Sequence, residues 1–330
     1  DVVFYGGNAG MNAGKLEKTG IKSFSIDGTP AYNVGTSFST PWVSRMAAEL
    51  THLVKEEFDP LLIRALLIHN AKYPANNSMS MTDKVTQMGF GAPSSVQEML
   101  YNSEDEITLI LRDTLEKGSF IEMFDFPFPE SLVDKDGNFV GQIIVTLVTK
   151  SLLDDKQAGE YCQSNIDILF GTYETETDRD TSKKGIKNPK GLEEPQNILL
   201  ESLYSARVKG AHPFTGFERE CTLVKYGKKF HPVKKYAIDL SEMTTSNRQR
   251  YLRGDRKWYL KIEGLYRDFI EQDARARNYQ LSQEYCLLLT IRDPNGKAPV
   301  YDEVAQQLDY KNFLHHNIQL RNVVTIDGTL

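Results

Sequence analysis

Between residues 37 and 56 apolar side chains recur every three or four positions: Phe38, Trp42, Met46, Leu50 and Leu53, with Ala47 and Ala48 as small packing positions. That spacing predicts an amphipathic helix. Pro41 fits such a helix only in its first turn, where a missing N–H costs nothing. A second helix is predicted over 60–71, with Leu62, Ala65, Leu66 and His69 on one face and Leu61 and Ile68 widening the stripe. The stretch NNSMSMTDKV (76–85) reads as a polar connector. MGFGAPSSVQEML (88–100) then gives a glycine turn and a short helix capped by Ser94 or Ser95. At the start, DVVFY followed by Gly6-Gly7-Asn8 reads as a strand and a turn.

After about residue 104 the period changes. EITLILRD, FIEMFDFPF, GQIIVTLVT, SNIDILFGTY, CTLVKYGK, VKKYAIDLS, KWYLKIEGLY and EYCLLLTIRD are strand-like runs, several alternating apolar with polar residues. Eight such runs with turn-rich connections predict an all-β sandwich of jelly-roll-like type over 105–330. Residues 176–196 are charged and contain Gly and Pro, the texture of a long loop. VYDEVAQQL (300–308) predicts a short helix. No internal repeat is evident.

Composition narrows the function classes. The 330 residues are 40% hydrophobic and 25% charged, as in a globular protein, with a net charge of −6. An acidic balance argues against nucleic acid as a partner. No apolar run approaches the roughly 20 residues that cross a bilayer, which argues against a membrane partner. Cys162, Cys221 and Cys286 are odd in number and far apart. They match neither a disulfide framework nor a metal site, and a reducing, cytoplasmic compartment is the better expectation.

The chemistry-bearing stretch is Gly35-Thr36-Ser37-Phe38-Ser39-Thr40-Pro41, directly before the first helix. A serine hydroxyl is a poor nucleophile until a base takes its proton and the oxyanion is stabilised. A helix N-terminus offers free N–H groups and the positive end of a dipole, and Ser37 there can add its own N–H. Gly35 lets a substrate backbone approach, and Thr36 can hold the corner. The plain alternative is that Ser37 only caps a helix. The stretch resembles the G-T-S-x-[AS]-x-P serine motif of the subtilisin-like proteases, the subtilases or peptidase S8 family. DVVFYGG resembles the family's P-D-[IV]-x-A-P-G strand and turn, LIRALLIHNA its next helix, and GFGAPSS its last glycine turn. The resemblance implies an α/β catalytic domain, of which residues 1–104 are the C-terminal portion, with Ser37 as acyl-forming nucleophile and Gly35 and Thr36 in the substrate and oxyanion vicinity. The sequence departs from the family at Trp42, where many relatives have histidine, at Arg45, where many have glycine, and at Phe4-Tyr5-Gly6.

The family's order is Asp, His, Ser, with an oxyanion Asn also ahead of the serine. The expectation is therefore a fragment whose acid, base and asparagine lie upstream, inactive by itself. His52 and His69 are predicted on helices and His212, His231, His315 and His316 in the second domain, so none is the expected base. Asn8 and Asn12 are polar loop residues that do not match the oxyanion position. The function implied for the full-length form is serine endopeptidase action on protein or peptide substrates. The alternative is a regulatory or binding pseudoprotease acting through the β domain. No cofactor is expected. Structural calcium is common in the family, but no site is evident: VDKDGNF (133–139) places glycine too early for an EF-hand and reads as a hairpin turn. KKGIKNPK and YGKKFHPVKK read as solvated loops and strand faces. Cys162 and Cys286 are expected to be buried. An ATPase partner is an expectation by analogy with bacterial subtilases that carry similar long tails.

Overall fold

A computed structural model describes residues 1–54, 58–74, 79, 81–174, 195–204, 230–310, 318–320 and 322–323. The chain divides into two units, Asp1–Leu100 and Tyr101–Leu330.

The first unit opens with two antiparallel hairpins, β1 (Asn8–Asn12) with β2 (Lys15–Thr19) and β3 (Ile21–Phe24) with β4 (Pro30–Asn33). Ala13 and Gly14 link β1 to β2 with φ of 47° and 79°. Positive φ at both central residues is what a two-residue type I′ turn requires. Four helices follow: α1 (Thr36–Val54), α2 (Pro60–His69), α3 (Met81–Met88) and α4 (Val96–Leu100). Asp59 caps α2 by accepting from the N–H of Leu61 at 2.8 Å and of Leu62 at 3.2 Å, and Pro60 takes the first helical position. Ser95 caps α4: its Oγ accepts from Glu98 N and donates to Glu98 Oε1, both at 3.3 Å. The core of this unit gathers Leu50, Leu62, Leu66, Ile68, Phe90 and Met99, all buried. Within α1, Leu50 is enclosed whereas Trp42 is 44% exposed, so the apolar face is only partly covered.

Three expectations are corrected here. No strand forms over residues 1–7, because their backbone bonds do not make one ladder: Val3 N reaches Gly91 O, Phe90 N reaches Asp1 O, and Gly35 N reaches Gly6 O. The predicted connector 76–85 runs into α3, which begins at Met81 and whose Val85 and Met88 are half-buried. The second helix stops at His69 rather than Ala71, because Asn70 and Ala71 close it with bonds to Leu66 O and Ile68 O.

The second unit contains β5 (Tyr101–Asn102), β6 (Glu106–Glu116), β7 (Phe120–Phe126), β8 (Gln142–Thr149), β9 (Ser164–Tyr173), β10 (Gln196–Asn197) and β11 (Val233–Asp239). Then come α5 (Thr245–Tyr251), β12 (Lys257–Tyr266), α6 (Asp268–Arg277), β13 (Ser282–Arg292), α7 (Val300–Tyr310), β14 (Ile318–Leu320) and β15 (Asn322–Val323). Among the described residues one antiparallel sheet has the order β10-β9-β12-β7 and another β11-β8-β13-β6-β14. Alternate residues of both sheets enter one core: Ile166, Ile168 and Phe170 from β9, and Leu287, Leu289 and Ile291 from β13. At its centre Trp258 stacks on Phe128 with centroids 4.1 Å apart, flanked by Phe139 and Phe170.

Seven of the eight predicted strand runs are strands; CTLVKYGK (221–228) lies outside the described residues, as does 176–194 of the predicted loop. The unit is not purely β. Helix α7 was legible from Val300, Val304 and Leu308, all fully buried at four-residue spacing. Helices α5 and α6 were not, since α5 buries no residue and α6 only Ala274. The VKK cluster is also corrected in part. Lys234 is 1% exposed, and its Nζ donates to Ile166 O at 2.9 Å and reaches Asp167 Oδ1 at 3.3 Å. A buried ammonium is tolerated because these acceptors replace water. Residues 133–139 do form a turn, closed by a Val133–Phe139 bridge. Asp134 Oδ1 accepts from the N–H of Asp136 and Asn138, each at 2.9 Å, and Oδ2 pairs with Arg248 at 2.5 Å. Cys162 and Cys286 are buried thiols. Among the described residues no helix is long and apolar enough to cross a membrane.

Two tests follow from this packing. Trp258→Ala should cost about 3–5 kcal/mol in denaturant unfolding, while Phe120→Ala, at a side chain 53% exposed, should cost less than about 0.5 kcal/mol. Equal costs would mean that the aromatic layer does not organise the core. For Asp134, burial raises the carboxyl pKa, but the Asn138 and Asp136 amides and Arg248 outweigh it and hold it below the ordinary value. A depressed folded-state pKa contributes stability above the unfolded pKa of about 3.9 and loses it as pH falls through the folded value. Asp134→Asn should therefore lower the unfolding midpoint at neutral pH, with the difference from wild type shrinking once the pH falls below about 3.9. A pH-independent difference would contradict this.

Candidate functional site

Gly35 immediately precedes α1, and Thr36 and Ser37 are its first two residues. Both side chains face solvent. The turn is closed by Phe38 N donating to Gly35 O at 3.0 Å, and Ser39 Oγ donates to Thr36 O at 3.2 Å. Among the described residues the Ser37 hydroxyl has no hydrogen-bond partner. The simple capping role is therefore not what its side chain performs. Pro41 lies inside the helix rather than in its first turn. It stands four residues after Ser37, so it has no N–H to give to the Ser37 carbonyl.

What fixes this corner is backbone against backbone. Gly35 N donates to Gly6 O at 2.9 Å. A Cβ placed on Gly6 would lie 2.8 Å from Gly35 O, closer than side chains are found to approach. Next along the chain, Gly7 has φ of 84°, and a Cβ there would lie 2.9 Å from both Asn33 O and Gly20 Cα. A Cβ on Gly20 would lie 2.2 Å from Asn33 O. Three glycines therefore let the start and end of the β1–β2 hairpin close against β4, two residues before Gly35. Sequence reading singled out Gly6-Gly7 only as a turn and missed Gly20. The signal that could have found them is a glycine at each end of a predicted hairpin.

Beside this corner an apolar groove of about 530 Å³ is lined by Phe4, Tyr5, Trp42, Met46 and Val96. Trp42 lies against Phe4, with centroids 6.5 Å apart, and Arg45 stands 5.7 Å over the Trp42 ring. Two of the departures from the family pattern, Trp42 and Arg45, thus act together, as an aromatic ring and the cation covering it. In the β3–β4 turn, the Ser25 hydroxyl, then the Thr29 hydroxyl and N–H, donate to Asp27 and hold its carboxyl down at about 2.

The structure brings no base to Ser37 among the described residues of this unit. His52 is exposed on the same helix, about 22 Å further along its axis. His69 ends α2 and is 3% exposed. His231 belongs to the second unit, and His212, His315 and His316 lie outside the described residues. Asn8 and Asn12 are exposed on β1 rather than in a loop: Asn8 Oδ1 accepts from Ala9 N at 2.8 Å and Asn12 Nδ2 donates to Glu17 at 2.9 Å. Among the described residues no three His, Cys, Asp or Glu side chains are grouped to hold a metal ion.

A search of curated proteins finds no match to the chain. Residues 1–93 match the family model Peptidase_S8, described as the Subtilase family. This stretch contains the Gly35-Thr36-Ser37 corner, the glycine contacts beneath it and helices α1 to α3. Over residues 1–93 the chain is thus similar to the subtilisin-like S8 proteases.

Proposed function

We propose that Ser37 is the acyl-forming nucleophile of a subtilisin-type serine endopeptidase, with Gly35 and Thr36 at the substrate and oxyanion side of the corner. One observation carries this reading: the serine of the G-T-S-F-S-T-P motif is exposed in the first turn of α1, with its hydroxyl committed to no other bond among the described residues. A nucleophile must be free to reach a carbonyl, and the helix start supplies N–H groups toward the developing oxyanion. The acid, base and asparagine belong, by the family's chain order, to a segment ahead of Asp1. In the full-length protein Ser37 attacks the peptide carbonyl, the base takes its proton and returns it to the leaving amine, and water releases the acyl group. The second unit is, in the same reading, an accessory sandwich. The orders β11-β8-β13-β6 and β10-β9-β12-β7, with long antiparallel pairings, support a jelly-roll-like arrangement.

In the full-length protein a fluorophosphonate should label Ser37, and Ser37→Ala should abolish labelling and lower peptide hydrolysis by about three orders of magnitude or more. Hydrolysis at the wild-type rate by the alanine variant would refute the assignment. A full-length protein that neither labels nor hydrolyses would favour the binding pseudoprotease instead. Gly6→Ala should act through position alone. The added Cβ, 2.8 Å from Gly35 O, must displace the corner, so kcat should fall by about tenfold or more with a smaller change in KM. Unchanged kcat in a folded Gly6→Ala protein would show that the glycine contact does not position the serine.

A further inference from the structure

The β1–β2 hairpin has the form of an arm held only at its base. Every residue of β1 is exposed, and among the described residues the hairpin is a two-stranded sheet with both edges unpaired. Such a ribbon is barely stable by itself in water. Here its stiffness comes from the Ala13-Gly14 turn at the tip and from Gly7 and Gly20 closing on Asn33 at the base. Met11 and Leu16 face each other across the strands, yet they are 70% and 62% exposed. A cross-strand apolar pair left in solvent at the end of a stiff ribbon is a contact surface rather than a core. The base of the arm is continuous with the serine corner: Gly6, the residue before the hairpin's first glycine, accepts the Gly35 N–H two residues from Ser37.

We infer that the β1–β2 hairpin is a substrate-recognition arm, which takes an extended polypeptide leading away from Ser37 as an added strand and packs an apolar substrate side chain on Met11 and Leu16. The inference rests on the reading of Ser37 as nucleophile. An extended peptide must satisfy its own N–H and C=O groups, and an unpaired strand edge offers matching acceptors and donors at alternate residues. The backbone pairing is indifferent to substrate sequence, and the Met11–Leu16 pair adds a preference for one apolar residue. Five residues of strand reach about 17 Å, so the arm extends recognition well beyond the scissile bond. The substrate class is therefore an unfolded or extended chain with several residues on one side of the cleaved bond, rather than a short peptide.

The test uses the full-length protein with two variants: deletion of 8–19, joining Gly7 to Gly20, and the point change Leu16→Asp, which keeps the hairpin. Peptides sharing one cleavage site are lengthened stepwise on either side by up to about five residues, the length of β1. Alongside them run a minimal chromogenic substrate and the fluorophosphonate labelling rate of Ser37. Both variants should lose about tenfold or more in kcat/KM on peptides lengthened on one side, with turnover of the minimal substrate and labelling unchanged. Equal losses on short and long substrates, or no loss on long ones, would overturn the arm. If the deletion instead changes only the oligomeric state in sedimentation, the hairpin binds a second copy of the chain and the inference is wrong. Failure of the wild-type protein to label at Ser37 would remove the nucleophile reading itself, a result distinct from each of these.

Discussion

Where Gly6 meets Gly35, two backbones lie so close that a methyl group would not fit between them, and an amide of one bonds the carbonyl of the other. The position of α1, and with it Ser37, follows from that contact. Side chains in a small unit can repack, but a peptide group pinned by a hydrogen bond at van der Waals distance has little freedom. The same device recurs at Gly91, where a Cβ would lie 2.5 Å from Lys72 O beside the Lys72–Ala92 bridge. The first unit thus relies on glycine-permitted backbone contacts where its core, with Trp42 and Tyr5 left exposed, supplies less enclosure.

The second unit is organised differently. Its regular alternation buries long rows of Leu, Ile and Val, and the aromatic layer around Trp258 fills the middle. Among the described residues two cations are enclosed in it. Lys234 is held by Ile166 O and Asp167, and Arg256, 4% exposed, by Thr172 and Glu174. Each exchanges hydration for fixed acceptors, so neither tolerates loss of its partner, and both tie residues distant in sequence into one register.

These differences explain what was legible in the sequence. Alternation revealed β9 and β12, continuous apolar runs revealed β6 and β13, whose residues 107–111 and 285–291 are buried on both faces, and a four-residue apolar spacing revealed α7. The motif around Ser37 was legible because seven residues in a fixed order resemble the subtilase pattern, which the family-model match over 1–93 bears out. Helix α6 was not: it is held by its surface pairs Arg275–Glu271 and Arg277–Asp273 and ended by left-handed Asn278, with no apolar stripe to announce it. The burial of Lys234 was hidden because a lysine between valine and lysine reads as solvated, and only the carbonyl of Ile166, far along the chain, changes that. Pro41 and the glycines at 6, 7 and 20 were visible as letters. Their effect lies in which backbone groups they bring together or leave unpaired, which is a property of the fold and not of spacing.

The closure of Gly7 on Gly20 uncouples length from position. The residues between them leave the unit and return to it at nearly one point, so their number hardly enters the geometry of the serine corner. Lengthening such a closed excursion costs only a slowly growing entropy, and shortening it removes no core contact. A change in the number of residues here is therefore tolerated, whereas a side chain at Gly7 or Gly20 is not, because its Cβ would lie within 2.9 Å of Asn33 O. The neck thus separates a sterically constrained closure from an excursion whose length the corner does not dictate, so the reach of the arm can change without moving the serine.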